Sequence, residues 1–172
     1  MDIKRNLKII SGGQTGVDRA ALDVALKYKI ECGGWCPKGR IAEDGIIPKH
    51  YPLKETPSPE YTVRTEWNVR DCDGTLILNV GELNGGTAFT VECAKKYKKH
   101  CLVVDLAPHH VGCGVSKKYG KDIVSFGNKL IVQGWIFVND IRILNIAGPR
   151  ESKSPGIYET AKRFLEEVFA VK

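Results

Sequence analysis

Residues 7–18 read Leu-Lys-Ile-Ile-Ser-Gly-Gly-Gln-Thr-Gly-Val-Asp. A short, mostly β-branched apolar run enters two glycines. After the third glycine, Val17, Ala20, Ala21, Val24, Ala25 and Tyr28 recur on one face of a 3.6-residue period. The order is strand, glycine turn, helix, and it occurs twice more. Residues 74–80 have the continuous apolar character of a parallel strand buried on both faces. They run into Gly81-Glu82-Leu83-Asn84-Gly85-Gly86-Thr87 and then a helix over 87–99 with Phe89, Cys93 and Tyr97 on one face. Residues 142–147 run into a turn over 148–156, followed by a helix over 156–170 whose apolar face is Ile157, Tyr158, Ala161, Phe164, Leu165 and Val168. One such unit constrains little, but three constrain topology. Strands alternating with helices give an α/β fold, a parallel sheet with helices on both faces. Right-handed crossovers put every strand's C-terminal end on the same edge. All three glycine turns therefore share that edge, where open α/β sheets bind ligands.

The other elements are less sharply marked. Strands are expected at 7–11 and 101–105, and helices at 17–29 and 60–70. Residues 31–45 read as a glycine- and proline-punctuated loop, with room for a short strand near 33–35. Residues 51–53 suit a short edge strand, since proline is tolerated there. On the 60–70 helix, Tyr61, Arg64, Thr65, Asn68 and Asp71 form a polar stripe. Such a stripe is ordinarily a solvated face, and it also suits a ligand cleft. Residues 106–120 read as irregular chain and 123–126 are ambiguous. Asn128 is a possible cap for a helix bearing Leu130, Ile131, Trp135 and Val138, weakened by Gly134. Ser154 is placed as the cap of the last helix, with Pro155 at its first position.

Composition narrows the partners. The chain of 172 residues fits one domain over 1–172, with an ordinary charged fraction of 27%. No apolar run approaches the roughly 20 residues of a membrane span. No apolar stretch follows the charged residues 1–6, so no signal peptide is read and a cytoplasmic protein is expected. The six cysteines are then free thiols. His109, His110 and Cys113 are weighed as a zinc site against a loop that happens to hold two histidines and a thiol. The net charge of +6 is concentrated partly in Lys95, Lys96, Lys98 and Lys99, read as a solvated helix end. No nucleic-acid module is recognisable, and a small anionic ligand accounts for the charge as well as a polyanion does. No apolar stripe in the sequence marks a subunit interface.

A strand-to-helix glycine turn presents unpaired amides at the positive end of a helix, which attracts anions. The first turn matches neither the dinucleotide nor the P-loop pattern. The candidate binding residues are Gly12, Gly13, Gln14, Thr15, Gly16 and Arg19 from the first unit. The following loop offers Lys38, Arg40 and Asp44, and the polar helix offers Arg64, Thr65 and Asn68. Gly85, Gly86 and Thr87 come from the second turn, and Gly148, Arg150, Glu151 and Ser152 from the third. Arginine suits phosphate because its planar fork donates two hydrogen bonds at once. No Ser-His-Asp arrangement stands out. Among the acids near the turns (Asp18, Glu43, Asp44, Glu82, Glu92 and Glu151), a carboxylate serves either as a general acid or base or as an arginine's anchor.

The segments 11–23, 33–45, 64–71, 85–87 and 145–152 match, in order, motifs of the molybdenum carrier family, which this chain resembles over about residues 7–170. Residues 106–134 carry little of the resemblance. It implies a Rossmann-like fold, a homo-oligomer, and binding of molybdenum cofactor, a pterin with a terminal phosphate and a metal-holding dithiolene. In that reading the phosphate sits on the glycine turns, Asn68, Arg64 and Asp44 address the pterin, and the sulfurs come from the ligand. No catalytic residue is then required. Molybdoenzymes or cofactor-synthesis proteins are the implied partners, with no nucleic acid and no membrane. The chain also resembles lysine-decarboxylase-like phosphoribohydrolases, whose Pro-Gly-Gly-x-Gly-Thr-x-x-Glu signature is only partly kept in Gly85-Gly86-Thr87 and Glu92. That alternative implies nucleotide binding or cleavage, with Glu92 assisting departure of the base and Arg64 or Arg70 holding the nucleotide.

Overall fold

A computed structural model describes residues 6–107, 123–126 and 129–170. The sheet has six strands in the order β2-β1-β10-β7-β8-β9, every pair parallel. The strands are β1 (Lys8–Ile10), β2 (Glu31–Gly33), β7 (Gly74–Asn79), β8 (His100–Asp105), β9 (Ile123–Phe126) and β10 (Ile143–Ala147). Between β2 and β7 lie β3 (Trp35–Cys36), β4 (Ile41–Ala42), β5 (Gly45–Ile46) and β6 (Lys54–Glu55). The helices are α1 (Val17–Lys27), α2 (Tyr61–Arg70), α3 (Gly85–Lys96), α4 (Lys129–Val138) and α5 (Ile157–Phe169). The α/β, Rossmann-like architecture expected from the three repeated units is present. Residues 123–126, ambiguous in sequence, form the edge strand β9.

Strand residues alternate between faces. Ile9, Leu76, Leu78, Leu102, Val104, Leu144 and Ile146 point to the face covered by α1, α4 and α5 and form the main core with Val17, Val24, Phe164 and Leu165. On the other face α2 packs on α3 through Val69, Cys93 and Ala94, with Phe89, Tyr97 and Cys101 against them. All six residues of β7 are buried, which is why that strand reads as a continuous apolar run. Adjacent strands β10 and β7 thus lead to α5 and α3 on opposite faces. Such a point, where adjacent strands lead to helices on opposite faces, is where open α/β sheets form their ligand crevice.

The 31–45 stretch is more ordered than a loop. Trp35 and Cys36 pair in parallel with Lys54 and Glu55, so the short strand expected at 51–53 lies one step later. Ile41–Ala42 and Gly45–Ile46 form a two-residue hairpin with Glu43 and Asp44 at its tip. Its inner side packs Ala42 and Ile47 against Leu22, Cys36, Tyr51 and Leu53.

One local expectation is corrected, and one helix gains an inner face that its sequence did not assign. The cap of α5 is Gly156, in the left-handed region, not Ser154. Its amide and that of Tyr158 donate to the Glu151 carboxylate at 2.5 and 3.1 Å, an anion at the positive helix end. On α4 the buried residues are Val132 and Ile136, while Leu130, Ile131 and Val138 are exposed. Periodicity could not choose between these faces because α4 is apolar nearly all round. Asn128, Pro108, His109, His110, Cys113 and the glycines at 112, 114 and 120 lie outside the described residues.

Candidate functional site

The three glycine turns lie side by side at the C-terminal edge of the sheet, and two of them interlock. Val17 N–H donates to Pro149 O at 3.2 Å, and Glu151 N–H to Thr15 Oγ1 at 3.2 Å. Gly16, at φ +74°, could carry no side chain here: a Cβ would lie 2.4 Å from Pro149 O. The Gly148 Cβ position is similarly closed, 2.3 Å from Leu78 O.

The tip of the 41–46 hairpin plugs this junction. Glu43 accepts hydrogen bonds from the hydroxyls of Thr15 and Ser152 and from the Ser152 amide at 3.1 Å, and Arg150 Nε lies 3.3 Å from Oε2. The Gln14 side-chain oxygen accepts the amides of Glu43 (2.9 Å) and Thr15 (3.0 Å). Asp44 takes a two-pronged ion pair from Arg19 at 2.5 and 2.8 Å, while Arg19 Nε donates to Gly13 O. The anion at the first and third turns is therefore the protein's own carboxylate. Burial alone would raise the Glu43 carboxyl. The Ser152 and Thr15 hydrogen bonds and the Arg150 charge outweigh it and hold its pKa below the ordinary 4.5.

That depression sets a pH dependence. A carboxyl lowered on folding contributes stability above its unfolded value and loses it as pH falls through the folded value. Acidification below the ordinary 4.5 is expected to release the hairpin tip from residues 150–152. Protection of the Ser152 amide against hydrogen exchange is expected to fall there at least tenfold, and Glu43→Ala is expected to reproduce that loss at neutral pH. Undiminished protection in Glu43→Ala would show that Glu43 is not the lock.

Helix α2 supplies a second locked region: the middle of its polar stripe, Arg64 and Asn68, turns inward, while Tyr61 and Asp71 at its ends are exposed. Arg64 Nη1 donates to Asp18 Oδ2 at 2.9 Å, with side-chain exposures of 14% and 3%. The guanidinium lies against Gly12, where a Cβ would stand 1.8 Å from Nη1. Arg64 Nε is enclosed without an acceptor. Burial raises the Asp18 carboxyl pKa; Arg64 and the Gln14 amide, at 3.2 Å, pull the other way. Asn68 is buried, its amide accepting from Trp35 N–H (2.8 Å) and donating to Trp35 O (2.9 Å). Asp71 takes the Trp35 indole N–H at 2.8 Å, and the Thr65 hydroxyl donates to Tyr61 O at 2.9 Å. Arg40 is committed to four carbonyls, those of Ile47, Pro48, Tyr51 and Leu53, at 2.9–3.1 Å. Lys38 is exposed.

The second turn differs from the other two. The start of α3 has no side-chain cap, and its first turn holds no acidic residue. Gly81 (φ +75°), Gly85 (φ +49°) and Gly86 are all exposed, and among the described residues a Cβ at any of them would meet nothing within 4 Å. Thr87 is buried beneath them. This terminus combines open amides with open space. Glu92 is exposed on the same helix, seven residues, or about 10 Å of rise, beyond Gly85.

The structure thus brings Gln14, Thr15, Gly16, Arg19, Asp44, Arg150, Glu151 and Ser152 together around Glu43 through hydrogen bonds, an ion pair and close packing, with Gly12 beneath Arg64. It leaves Gly85 and Gly86 open at the adjacent crevice. Sequence reading did not find that Glu43 occupies the first turn. The signal was Glu43-Asp44, a two-residue hairpin tip between Ile41-Ala42 and Gly45-Ile46. Nor did it find Asp23, which accepts the hydroxyls of Tyr51 (2.8 Å) and Tyr158 (2.7 Å) and ties the hairpin region to α5. Among the described residues, no group of three His, Cys, Asp or Glu side chains is placed to hold a metal ion, and no helix is long and apolar enough to cross a membrane. The zinc reading of His109, His110 and Cys113 falls outside those residues.

A parallel six-stranded sheet with helices on both faces and glycine turns at one edge defines a Rossmann-like fold. Residues 9–169 match the circularly permutated YpsA SLOG family, and the chain belongs to that family. Its structure is similar to the crystal structure of a protein from Syntrophus aciditrophicus SB named as a putative molybdenum carrier protein. The two share 46% identity with a TM-score of 0.82, over 95% of this chain and 94% of the other. No curated protein matches the chain.

Proposed function

We propose that this protein binds a phosphorylated small molecule at the β10/β7 crevice and carries it without turnover, with molybdenum cofactor as the first candidate. The observation that carries the reading is the contrast between the helix N-termini. The turns before α1 and α5 hold the protein's own carboxylates, whereas α3 begins with open glycines and no cap. A phosphate seated there gains amide hydrogen bonds and the positive end of the helix. Gly85, Gly86 and Thr87 form the cradle. Arg64, whose enclosed Nε lacks an acceptor, and the exposed Lys38 are the cationic candidates from the rest of the site set. The resemblance of the sequence and the name of the Syntrophus relative both favour a pterin cofactor as cargo. Its metal stays on the ligand's own dithiolene in this reading. The locked first turn acts as a rigid wall rather than as a second phosphate site.

A nucleoside monophosphate is the second reading, since it presents the same terminal phosphate. In that reading Glu92, exposed on α3, is the carboxylate that would assist departure of the base. The test is anaerobic calorimetric titration with molybdenum cofactor and separately with AMP, each mixture analysed for breakdown. Tight cofactor binding with AMP left intact is the expected result. Release of adenine would make the protein a hydrolase, and heat from neither ligand would remove both candidates.

A further inference from the structure

Trp35 is fixed at more points than its packing explains. The buried Asn68 amide accepts its backbone N–H at 2.8 Å and donates to its carbonyl at 2.9 Å. The indole N–H donates to Asp71 at 2.8 Å, and Trp67 meets the ring edge-on with centroids 4.8 Å apart. Yet the side chain is only partly buried and belongs to none of the apolar clusters of the core. Support of this kind is what a preorganised binding wall needs.

Trp35 lines a cavity of about 240 Å³. In register, Lys8 stands beside Ile143 and Ile10 beside Gly33, and side chains two apart on a strand share a face. These four therefore form one floor, on the side of the sheet opposite Ile9 and the main core. Helix α3 covers that side at β7 and β8, and α2 packs on α3 and β3, so the cavity lies beside them over β1. Gly33 keeps the floor low: a Cβ there would stand 3.8 Å from the Lys8 stem. Lys8 and Ile143 are the first residues of their strands. The cavity thus runs down the sheet, away from the glycine-turn edge and the α3 cradle.

The charges on its rim select a ligand. Asp71 is matched by Arg70 at 2.6 and 3.0 Å, and Lys8 by Glu31 at 2.7 Å. Lys54 is exposed with its ammonium 5.9 Å from the Trp35 ring centroid, and among the described residues no carboxylate lies within ion-pair distance of it. An aromatic wall, an apolar floor at Ile10 and Ile143 and one unmatched ammonium suit a flat ring with a single negative charge. A phosphate dianion would bring a second charge that no free cation of the lining meets. The volume is below the roughly 300–1,000 Å³ of drug-sized pockets, which limits the ligand to one or two rings. We propose that this cavity binds a small aromatic carboxylate, its ring on Ile10 and Ile143 against Trp35 and its carboxylate on the Lys54 ammonium. The site is independent of the phosphate reading at α3.

The test is calorimetric titration of the full chain with 2-naphthoate and with the neutral 2-naphthamide, beside NMR of the tryptophan indole N–H groups. The Trp35 cross-peak is the one lost in Trp35→Phe, or the one left when Trp67→Phe and Trp135→Phe have assigned the others. One 2-naphthoate is expected to bind per chain, about tenfold tighter than the amide, and to move the Trp35 cross-peak. Lys54→Met is expected to abolish the preference for the acid with the melting temperature unchanged, because the side chain is exposed. No heat from 2-naphthoate at millimolar concentration, equal affinity for acid and amide, or a preference retained in Lys54→Met would each overturn the proposal. So would a Trp35 cross-peak that stays in place at saturation.

Discussion

Arg64→Ala is expected to lower the melting temperature by roughly 10 °C. Removing one partner of a buried ion pair costs about 3–5 kcal/mol, because the other charge stays behind without its counter-ion. For a chain of this size each kcal/mol moves the midpoint by about 2–4 °C. The charge left behind is Asp18, 3% exposed in the first turn of α1, with the Gln14 amide as its remaining close donor. The substitution also empties the space above Gly12, which the guanidinium fills. A signature separates this account from simple loss of packing. Burial already raises the Asp18 carboxyl pKa, and without Arg64 the pull downward is weaker still. A carboxyl raised on folding destabilises the folded state as pH climbs through the gap between its unfolded and folded values. The deficit of Arg64→Ala should therefore shrink on acidification, and Asp18→Asn added to Arg64→Ala should recover part of it. A deficit independent of pH, measured by thermal melts across the acidic range, would assign the effect to the cavity alone.

Gly86→Val is expected to weaken phosphate-ligand binding about 100-fold while leaving the melting temperature within a few degrees of wild type. Two charge-assisted hydrogen bonds from open amides contribute about 1.5–3 kcal/mol each, and a branched side chain at the first turn of α3 denies a phosphate both of them. The fold has room for the change. The Gly86 backbone is not in the left-handed region, and a Cβ there meets nothing within 4 Å. The same substitution at Gly16 would be a poor probe, because φ is +74° and Pro149 O blocks the space. Calorimetry of Gly86→Val with the ligand that binds the wild-type chain is the measurement. Unaltered affinity would move the phosphate away from α3, and binding lost with a collapsed melting temperature would discredit the variant as a probe.

The fold was legible because its determinants are local and repeated. Each strand–glycine–helix unit shows a change of period, from the continuous burial of β7 to the helical spacing of Phe89, Cys93 and Tyr97. Crossover handedness then fixes the edge on which the turns lie. The same local signals could not say which turns are free. Gly12–Gly13 and Gly85–Gly86 look alike in sequence. One is filled by Arg64, 52 positions on, and the other faces open space. Helix α4 was expected without an inner face for a related reason: when nearly every position is apolar, the period loses its phase, and contact with α5 decides which face is inside.

The sequence by itself determined the parallel α/β architecture, the shared edge of the three glycine turns and the family resemblance, since these follow from patterns within a few residues of one another. Only the tertiary structure decided the allocation of charge at that edge. Glu43 reaches Ser152 across 109 positions and Arg64 reaches Asp18 across 46. A hydrogen bond or ion pair of that span depends on how the hairpin and α2 fold back over the sheet, and neither partner's local sequence records it.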